Sequence, residues 1–560
     1  MDNREPVEVQ PSQNLPTEEE IESEAQNRFN GIRTFWKAAR SEDRKLTYIS
    51  FSFFLIVYIY SVTKDLKDAF IIGRQSPASI SILKVFWVPP VATIASLIIQ
   101  KMSIRMNTEA ILKIFLVFYC FYFFGYGIFI PFFRDSLLEP WRIQIGDLQS
   151  DSRMEFRHIS SLSAFLMTFG CWTGTLHFIM SELWGTIILS LLFTQLFNEI
   201  CWERQFKRFI PVVYTLSNFG LLFSAFTSLS LNLLIDKLSY NHKWKLFAGL
   251  FMILGILSFF LYRIINILLY QILPIQICRD VPQRDRRPRS EPVGFLKGLE
   301  MIFSTKVIFA LCIMVLGYNI VIIMAESSYK SCLSELAKSE NRDLESSVLR
   351  NKFFEESITA LLVISFFLGP MRNSISWFGW TKYALTTPSF ALITCIAVLG
   401  LALITTGLAG KNFNFINNIM MPFGGESMSK RTIHLEQALG IICISVLKVM
   451  KYAAFDIARE YFSKRIDISY RARFRSVYDG ICARQGKAIG SLIQVIMNGL
   501  FNTMDIRIAS LPYLVITSSI CISWIYSVIF LGKKYNKSVE SQDWVELGFE
   551  ESEKKKNVEK

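Results

Sequence analysis

The sequence has few of the residues that build metal and disulfide sites. Its 560 residues include 10 Cys and 4 His, with no CxxC pair and no HExxH motif. Several cysteines, such as Cys120 and Cys171, stand inside apolar runs, where a thiol packs as a small hydrophobe. The pattern favours neither a disulfide framework nor a zinc site, and we expect no metal and no cofactor.

A complete phosphate loop is also missing. The stretch from Gly480 to Ala488 contains Gly486 and Lys487, but it is one residue too long for G-x-x-x-x-G-K-[ST]. Ala488 stands where that motif needs a hydroxyl to bind magnesium. We therefore reject an ATPase site and predict a protein that is not an enzyme, with no catalytic residues.

The first 45 residues lack the apolar core and the cleavage site of a secretory signal, so we expect the first apolar segment to be a retained membrane anchor. The net charge of +13 is carried by bases that are scattered between apolar segments. A nucleic-acid-binding domain would gather them on one face. We predict no nucleic-acid partner.

Long apolar runs dominate what remains. Hydrophobic residues make up 51% of the chain, and 48 are Phe. A span needs about 20 apolar residues to cross a hydrocarbon core of about 30 Å. The chain therefore predicts an all-α polytopic membrane protein with twelve transmembrane helices, in contact with lipid. These helices are expected near residues 46–70, 80–100, 110–133, 158–199, 209–234, 246–275, 300–330, 353–371, 383–408, 434–462, 477–502 and 508–532.

The segment 158–199 is too long for one straight span, since about 40 residues at about 1.5 Å each exceed a bilayer. We interpret it as one helix broken at Ser181–Gly185, which keeps six helices in each half; two separate spans are the alternative. A basic, Pro-containing linker then divides the halves. The predicted parts are an N-terminal tail 1–45, a half 46–275, the linker 276–299, a half 300–532 and a charged tail 533–560.

Basic residues also predict the orientation. The N-terminal flank, the linker and the loops around Arg208 and Lys464 fall on one side, and positive-inside bias makes that side cytoplasmic. The opposite loops, 134–157 and 332–356, mix both signs. Both termini should be cytoplasmic. Two similar halves around a central cavity are typical of secondary transporters.

Four charges lie within predicted spans: Lys84, Glu182, Glu326 and Lys487. A charged side chain at the bilayer centre costs at least about 2.5 to 3.5 kcal/mol on insertion scales. Each could form a buried ion pair or reach the interface. One charge of each sign per half instead favours a central cavity that binds a charged solute. The acids would then compensate the lysines when no solute is bound.

Two further charged clusters occur at helical spacing, where residues three and four apart share a face. Lys64, Asp65, Lys67 and Asp68 end the first helix, and Asp456 precedes Arg459 in a later one. Both clusters fit a wetted helix end as well as a functional site. Cations in a cavity indicate a phosphate or carboxylate ligand.

Four parts of the sequence resemble a known family: 63–72 with 82–87, 180–186 with 191–198, 317–319 with 326–330, and 451–456 with 486–494. They resemble the nucleotide transporter family, the ADP/ATP translocases of obligate intracellular bacteria, microsporidian parasites and plant plastids. Departures are Ser-Ser-Tyr before Lys330, Ile457 for a usual proline, and Ala488-Ile489 for a usual serine-glycine. These departures put the nucleotide range in question.

The resemblance implies a major-facilitator-like exchanger that imports host ATP in return for ADP. The family's two functional lysines and two glutamates match Lys84, Lys487, Glu182 and Glu326. The lysines would bind the phosphates, and the glutamates would hold the empty lysines or contact substrate. Further gating or substrate contacts are expected from Lys64, Asp65, Lys67, Asp68, Asn198, Lys330, Asp456 and Arg459.

The family expectation for the membrane is a parasite plasma membrane, with a reduced mitochondrial organelle or a plastid envelope as alternatives. The main rival function is a transporter of another phosphorylated or organic anion, proton-coupled through Glu182 or Glu326. A receptor or scaffold would need no charges within its spans and fits less well. Trp87, Trp184 and Tyr318 are weaker candidates for stacking on adenine.

Overall fold

A computed structural model of the protein describes residues 23–24, 38–103, 105–133, 160–201, 203–235, 237–238, 240–273, 305–369, 374–466, 474 and 476–546. Within these ranges every regular element is a helix. Ten helices are long and apolar enough to cross a membrane. The prediction of an all-α polytopic membrane protein is confirmed.

The first half contains one short helix and six long ones. These are α1 (Asp43–Arg74), α2 (Pro77–Ser103), α3 (Thr108–Phe133), α4 (Ser160–Gly170), α5 (Trp172–Ile200), α6 (Glu203–Ile235) and α7 (Tyr240–Ile267, continued by Leu268–Ile272).

The second half has the same number of long helices. These are α8 (Lys306–Ser339), α9 (Leu344–Leu368), α10 (Ser374–Leu408), the short α11 (Asn414–Met420), α12 (Gly425–Lys464), α13 (Ala483–Leu500, preceded by Ser476–Cys482) and α14 (Ser510–Glu540, preceded by Ile506–Ala509). The long helices α9 and α13 are not among the ten apolar spans. With them, the described elements are consistent with six helices in each half.

Contacts at the helix ends define the two sides of the molecule. Lys45, near the start of α1, donates to Gln205 at the start of α6 (2.8 Å). Beyond the end of α14, the Val545 amide donates to the Arg465 carbonyl just after α12 (2.9 Å). Since neighbouring long helices alternate in direction, α1 begins and α14 ends on the same side. We call this the terminal side and the opposite one the distal side.

The helix α9 corrects the predicted boundaries in the second half. It begins at Leu344 rather than near residue 353, and α8 continues to Ser339, so the predicted loop 332–356 is reduced to residues 340–343. Asp343 caps α9 by accepting a hydrogen bond from the Glu345 amide (3.3 Å). The charged first turns of α9 are buried against the other half, which the sequence pattern did not anticipate.

The segment 158–199 is broken, but not at the predicted place. The break falls at Cys171 (φ −107°, ψ 49°), between α4 and α5, and the Cys171 carbonyl accepts a hydrogen bond from Gln75 (3.3 Å). The residues Ser181–Gly185 lie instead where α5 changes from α- to π-helical hydrogen bonding, at Trp184. The same carbonyl accepts a hydrogen bond from the Thr175 amide (3.2 Å), so the Gln75 side chain adds a second hydrogen bond at the break.

Other predicted boundaries differ at the ends of the chain. The helix α14 continues to Glu540, so the start of the predicted tail 533–560 is helical. The linker 276–299, the loop 134–157 and most of the N-terminal tail lie outside the described residues. The division at 276–299 therefore stays a prediction.

Each half has its own hydrophobic core, and close backbone packing holds the central helices. In the first half, a Cβ added at Gly220 of α6 would stand 2.6 Å from the Phe54 carbonyl oxygen of α1. In the second, Gly317 of α8 packs against Trp524 of α14. The halves meet where α6 and α1 contact α9 and where α2 contacts α13. The charged side chains lie along this boundary.

Candidate functional site

The last three turns of α1 contribute the first part of the charged cluster. Asp65, Lys67 and Asp68 are buried there, and Lys64 is half-buried. Lys67 forms an ion pair with Glu182 of α5, and its Nζ atom lies 4.4 Å from the centroid of the Phe178 ring. Glu182 is therefore compensated within the first half, by a lysine from the neighbouring helix.

Asp68 connects the two halves. Its Oδ2 atom lies 2.9 Å from Nζ of Lys330 on α8 and 3.5 Å from Nζ of Lys352 on α9. About two turns away, Ser61 of α1 donates to Glu356 of α9 (3.2 Å). All of these side chains are buried, so the boundary between α1 and the second half is polar and interlocked.

Lys448 of α12 contacts two of the acidic side chains that the second half of the chain contributes to the cluster. Its Nζ atom lies 2.7 Å from Oε1 of Glu326 on α8, and it also forms an ion pair with Glu355 of α9. Glu355 in turn pairs with Lys352 at 3.2 Å. The acids and bases form a chain that runs from α12 through α9 to α1.

Lys84 and Lys487 differ from these lysines. Among the described residues, neither ammonium group has an ion-pair partner; Lys84 is half-buried and Lys487 is exposed. Both interact electrostatically with Glu182 and Glu326, which places them around the same space. Two cations from opposite halves therefore lie near the same two carboxylates, with charge available for an anion.

The two glutamates pair with lysines other than the expected ones. We expected Glu182 and Glu326 to hold the empty lysines, Lys84 and Lys487, or to contact substrate. In this structure Glu182 pairs with Lys67 and Glu326 pairs with Lys448. The physical reason is proximity, because α1 and α12 carry lysines that reach these carboxylates directly.

Close packing positions Lys487. Gly486 and Gly490 lie on one face of α13, and a Cβ added at either would come within 3.3 Å of backbone atoms of α8. This face is pressed against α8 near Leu316 and Ile320. Lys487, which follows Gly486, is thereby turned away from that contact. In this pair, Gly486 allows α13 to pack closely against α8, and Lys487 supplies the charge.

Turns of π-helix adjoin several of the charged positions. Lys84 lies within Leu83–Trp87, and Trp184–Phe193 begins two residues after Glu182. Lys451–Phe455 follows Lys448 closely, and Ser476–Cys482 precedes the helix that carries Lys487. Such turns occur frequently at functional sites, because they leave carbonyl groups less regularly paired and redirect side chains.

The remaining predicted residues are placed in different ways. Asp65 accepts a hydrogen bond from Ser228 of α6 (2.7 Å). Asp456 and Arg459 form an ion pair within α12 (3.0 Å), nearer the terminal side. Asn198 is exposed near the terminal end of α5. At about 1.5 Å per residue it stands roughly 24 Å along the helix from Glu182. Asn198 is not brought into the cluster.

Sequence reasoning missed Lys352, Glu355, Glu356 and Lys448. The first three were assigned to a loop or to its edge, although their spacing puts them on one helical face. Lys448 lies in the middle of the predicted helix 434–462, where the cost of a membrane charge should have drawn attention to it.

The candidate aromatic residues are mostly structural. Trp184 is fully buried and donates to the Ile56 carbonyl (3.2 Å), and Tyr318 is 4% exposed against Phe455 and Trp524. Trp87 donates to Thr168 (3.1 Å). Contacts within the protein therefore explain the positions of all three aromatic rings.

The halves are joined on the distal side. Gln494 of α13 accepts hydrogen bonds from Ser81 of α2 and from Ser327 of α8, and Ser346 of α9 donates to Asn232 of α6 (2.6 Å). Lys243, near the start of α7, forms ion pairs with both Asp343 and Glu345. This structure is therefore closed on the distal side of the cluster.

Comparisons with known proteins agree over nearly the whole chain. A family model described as "TLC ATP/ADP transporter" matches residues 22–535. The protein named ADP,ATP carrier protein 1 of Paranosema grylli is 31% identical over 537 residues, covering 95% of each chain. Its namesake in Encephalitozoon cuniculi is 31% identical, covering 97% of this chain and 96% of the other.

More distant matches include a bacterial carrier and a solved structure. ADP,ATP carrier protein 1 of Rickettsia prowazekii is 25% identical, covering 93% of this chain and 99% of that protein. A bacterial homologue of the iron transporter ferroportin, solved in an inward-facing state, is 12% identical with a TM-score of 0.49, covering 86% of this chain and 98% of the other.

Proposed function

This chain belongs to the TLC ATP/ADP transporter family, and on that premise we propose that it exchanges ATP and ADP across a membrane by alternating access. The observation that carries the proposal is the pair Lys84 and Lys487, which come from opposite halves and have no counter-ion among the described residues. Phosphate groups would supply the missing negative charge. The exchange needs no hydrolysis.

The phosphates of the substrate would lie between the two lysines. At an effective dielectric constant of 20, two unit charges about 4 Å apart attract by about 4 kcal/mol. A polyphosphate therefore gains from contacting both lysines together, and this draws α2 and α13 toward each other. Glu182 and Glu326 would act indirectly, by neutralising Lys67 and Lys448 so that only part of the positive charge remains for substrate.

Opening toward the distal side would require the contacts between halves to break there. These include the ion pairs of Asp68 with Lys330 and Lys352. Bound substrate would offset that cost by neutralising lysines in the occluded state. An empty carrier would keep Lys84 and Lys487 uncompensated, so its rearrangement would be slow. Strict exchange follows from this difference.

We assign secondary roles to the other charged residues. Lys330, Asp68, Lys64 and Asp65 would form the distal gate, since they lie where α1 meets the second half. Asp456 and Arg459 would act nearer the terminal side of α12. Asn198 is remote from the cluster and would contribute only on the terminal side.

We also propose the setting of the exchange. The chain is an integral membrane protein, and basic residues such as Arg44 and Lys464 flank its helices on the terminal side. Positive-inside bias would make this side cytoplasmic. The relatives come from intracellular parasites, so we place the protein in a parasite plasma membrane, importing host ATP in return for ADP. The two halves would be the moving units, divided within 276–299.

The test is uptake of labelled ATP by proteoliposomes, with and without ADP loaded inside. We expect uptake to depend on loaded ADP and to fall at least tenfold in Lys84→Ala and Lys487→Ala. Arg484→Ala is the matched control, because Arg484 is an exposed cation one turn before Lys487 on α13. It should stay near the wild-type rate.

Three results would count against the proposal. If folded wild-type protein takes up no ATP, the proposal that nucleotides are the substrate is wrong. Uptake that unlabelled sugar phosphate displaces better than unlabelled ADP would favour a transporter of another anion. Equal loss in the Arg484 and Lys487 variants would remove the specific role of Lys487.

A further inference from the structure

A polar cavity lies on the distal side, apart from the charged cluster. Its volume is about 270 Å³, and it is bounded by the end of α8, the first turns of α9 and α12. Leu333, Leu336 and Ala337 form an apolar wall. The cavity is near the lower end of the range for small-molecule sites, about 300 to 1,000 Å³. It suits one phosphate-bearing group better than a whole large ligand.

The charges that line this cavity are unequally compensated. Glu340 forms an ion pair with Arg342 (3.1 Å), and its Oε1 atom lies 3.7 Å from Nε2 of His434. Arg350, an exposed residue of α9, also lines the cavity, and within the described part of the chain it has no ion-pair partner. Arg350 therefore offers an uncompensated guanidinium group, which is suited to bidentate binding of phosphate.

Fixed amide groups stand beside Arg350. Asn351 donates to the Ser347 carbonyl (2.7 Å) and accepts a hydrogen bond from Gln437 of α12 (2.5 Å). These contacts orient the amides and hold α9 against α12. The cavity is thus a preformed polar surface rather than a gap between mobile side chains.

The helix α9 joins this cavity to the charged cluster. Ser347, Arg350 and Asn351 share one face because they are three or four residues apart. The next residue, Lys352, is turned to the interior, where it pairs with Asp68 and Glu355. An anion at Arg350 would therefore sit beside the distal gate, on the same helix as Lys352, which pairs with Asp68 of that gate.

We propose that this cavity is a docking site for the phosphate groups of a nucleotide that arrives from the distal side. The identity of the anion rests on the proposed function. Docking would raise the local concentration of substrate beside a gate that is closed in this structure. An uncompensated positive charge such as Arg350 attracts an anion and increases its association rate, and the increase falls as salt screens it.

The first test compares Arg350→Gln with wild type in oriented proteoliposomes. The matched control is Lys338→Gln, because Lys338 is an exposed cation near the same end of α8 that pairs with Glu335 and does not line the cavity. For ATP added on the distal side at low salt, we expect kcat/KM of Arg350→Gln to fall about three- to tenfold, with kcat unchanged. The difference should shrink at about 0.3 M salt. Uptake from the terminal side should not change.

A second test measures inorganic tripolyphosphate binding to the purified full-length protein by calorimetry, at low salt. We expect Arg350→Gln to lose one binding event that Lys487→Ala keeps. Wild-type binding in both variants would overturn the proposal, as would equal loss of kcat/KM from both sides or in Lys338→Gln. If wild type binds tripolyphosphate at Arg350 but exchanges no nucleotide, the proposed function fails and the anion site stands.

Discussion

Lys330 of α8 and Asp68 of α1 form a buried ion pair between the two halves, with Nζ 2.9 Å from Oδ2. Their side chains are 9% and 2% exposed. Lys352 of α9 approaches the same carboxylate at 3.5 Å. One aspartate thus holds two lysines of the other half, and the structure cannot open on its distal side without separating them.

Removal of this carboxylate should destabilise the closed state. Asp68→Asn leaves Lys330 and Lys352 close together without their shared counter-ion, and breaking a buried pair from one side costs about 3–5 kcal/mol. We expect lower thermal stability and at least a tenfold loss of exchange, measured by unfolding in detergent and by ATP uptake. Adding Lys330→Met should recover part of the stability but not the exchange.

The control for Asp68 is Glu335→Gln, which removes a partly exposed pair with Lys338. Exposed pairs contribute about 0.2–1 kcal/mol, so little change is expected. Normal stability and normal exchange in Asp68→Asn would show that the pair does not close the distal side.

Glu182 should regulate how much positive charge the cavity presents. In Glu182→Gln the buried Lys67 loses its partner and becomes available to phosphate. We expect KM for ATP to fall and kcat to fall about tenfold, because the added ion pair slows release. Glu199→Gln, near the end of the same helix and exposed, is the matched control. An unchanged KM with normal kcat would argue against this role.

Gly486 should be intolerant of a methyl group. Its added Cβ would stand 2.8 Å from the Asn319 Cβ atom and 3.2 Å from the Leu316 carbonyl oxygen, so α13 would move away from α8. We expect Gly486→Ala to cost about 1–3 kcal/mol and to reduce exchange by displacing Lys487.

Gly400→Ala provides the opposite case within a helix. Nothing lies within 4 Å of the added methyl group at Gly400, and Ala favours a helix over Gly by about 0.8–1.0 kcal/mol. We expect slightly higher thermal stability and normal exchange. Equal effects of the Gly400 and Gly486 substitutions would remove the steric explanation.

The ion pair between Lys243 and Asp343 on the distal side should weaken only at low pH. Burial raises the pKa of Asp343, but hydrogen bonds from Glu345 and Lys243 outweigh it and leave the pKa of Asp343 below its ordinary value. A carboxyl group with a depressed pKa contributes its stabilisation above its unfolded pKa, about 3.9, and loses it as pH falls through the folded value. We expect the contact to be constant from about pH 5 to 8 and to weaken below about pH 4.

The measurement is the spin-label distance between positions on α7 and the turn at 340–343, in wild type and in Asp343→Asn. The variant should show the wider distance at every pH. A wild-type distance that increases already between about pH 5 and 7 would mean that another group controls this contact.

The start of α9 could not be predicted from hydropathy. Its apolar part begins near residue 353, and a hydropathy pattern places the membrane boundary there. The helix begins at Leu344 because Lys352, Glu355 and Glu356 are buried against α1 and α12 rather than in water. A charged turn looks the same in sequence whether water or another helix surrounds it.

The sequence alone determined the all-helical membrane architecture and the choice of Lys84, Glu182, Glu326 and Lys487. Apolar length and the cost of a charge inside a span are local quantities, and they can be read residue by residue. Only the tertiary structure decided that Glu182 pairs with Lys67, that Lys448 bridges Glu326 and Glu355, and that Lys84 and Lys487 keep no counter-ion among the described residues. Pairing depends on which helices are neighbours and on their rotation, and no local pattern specifies either.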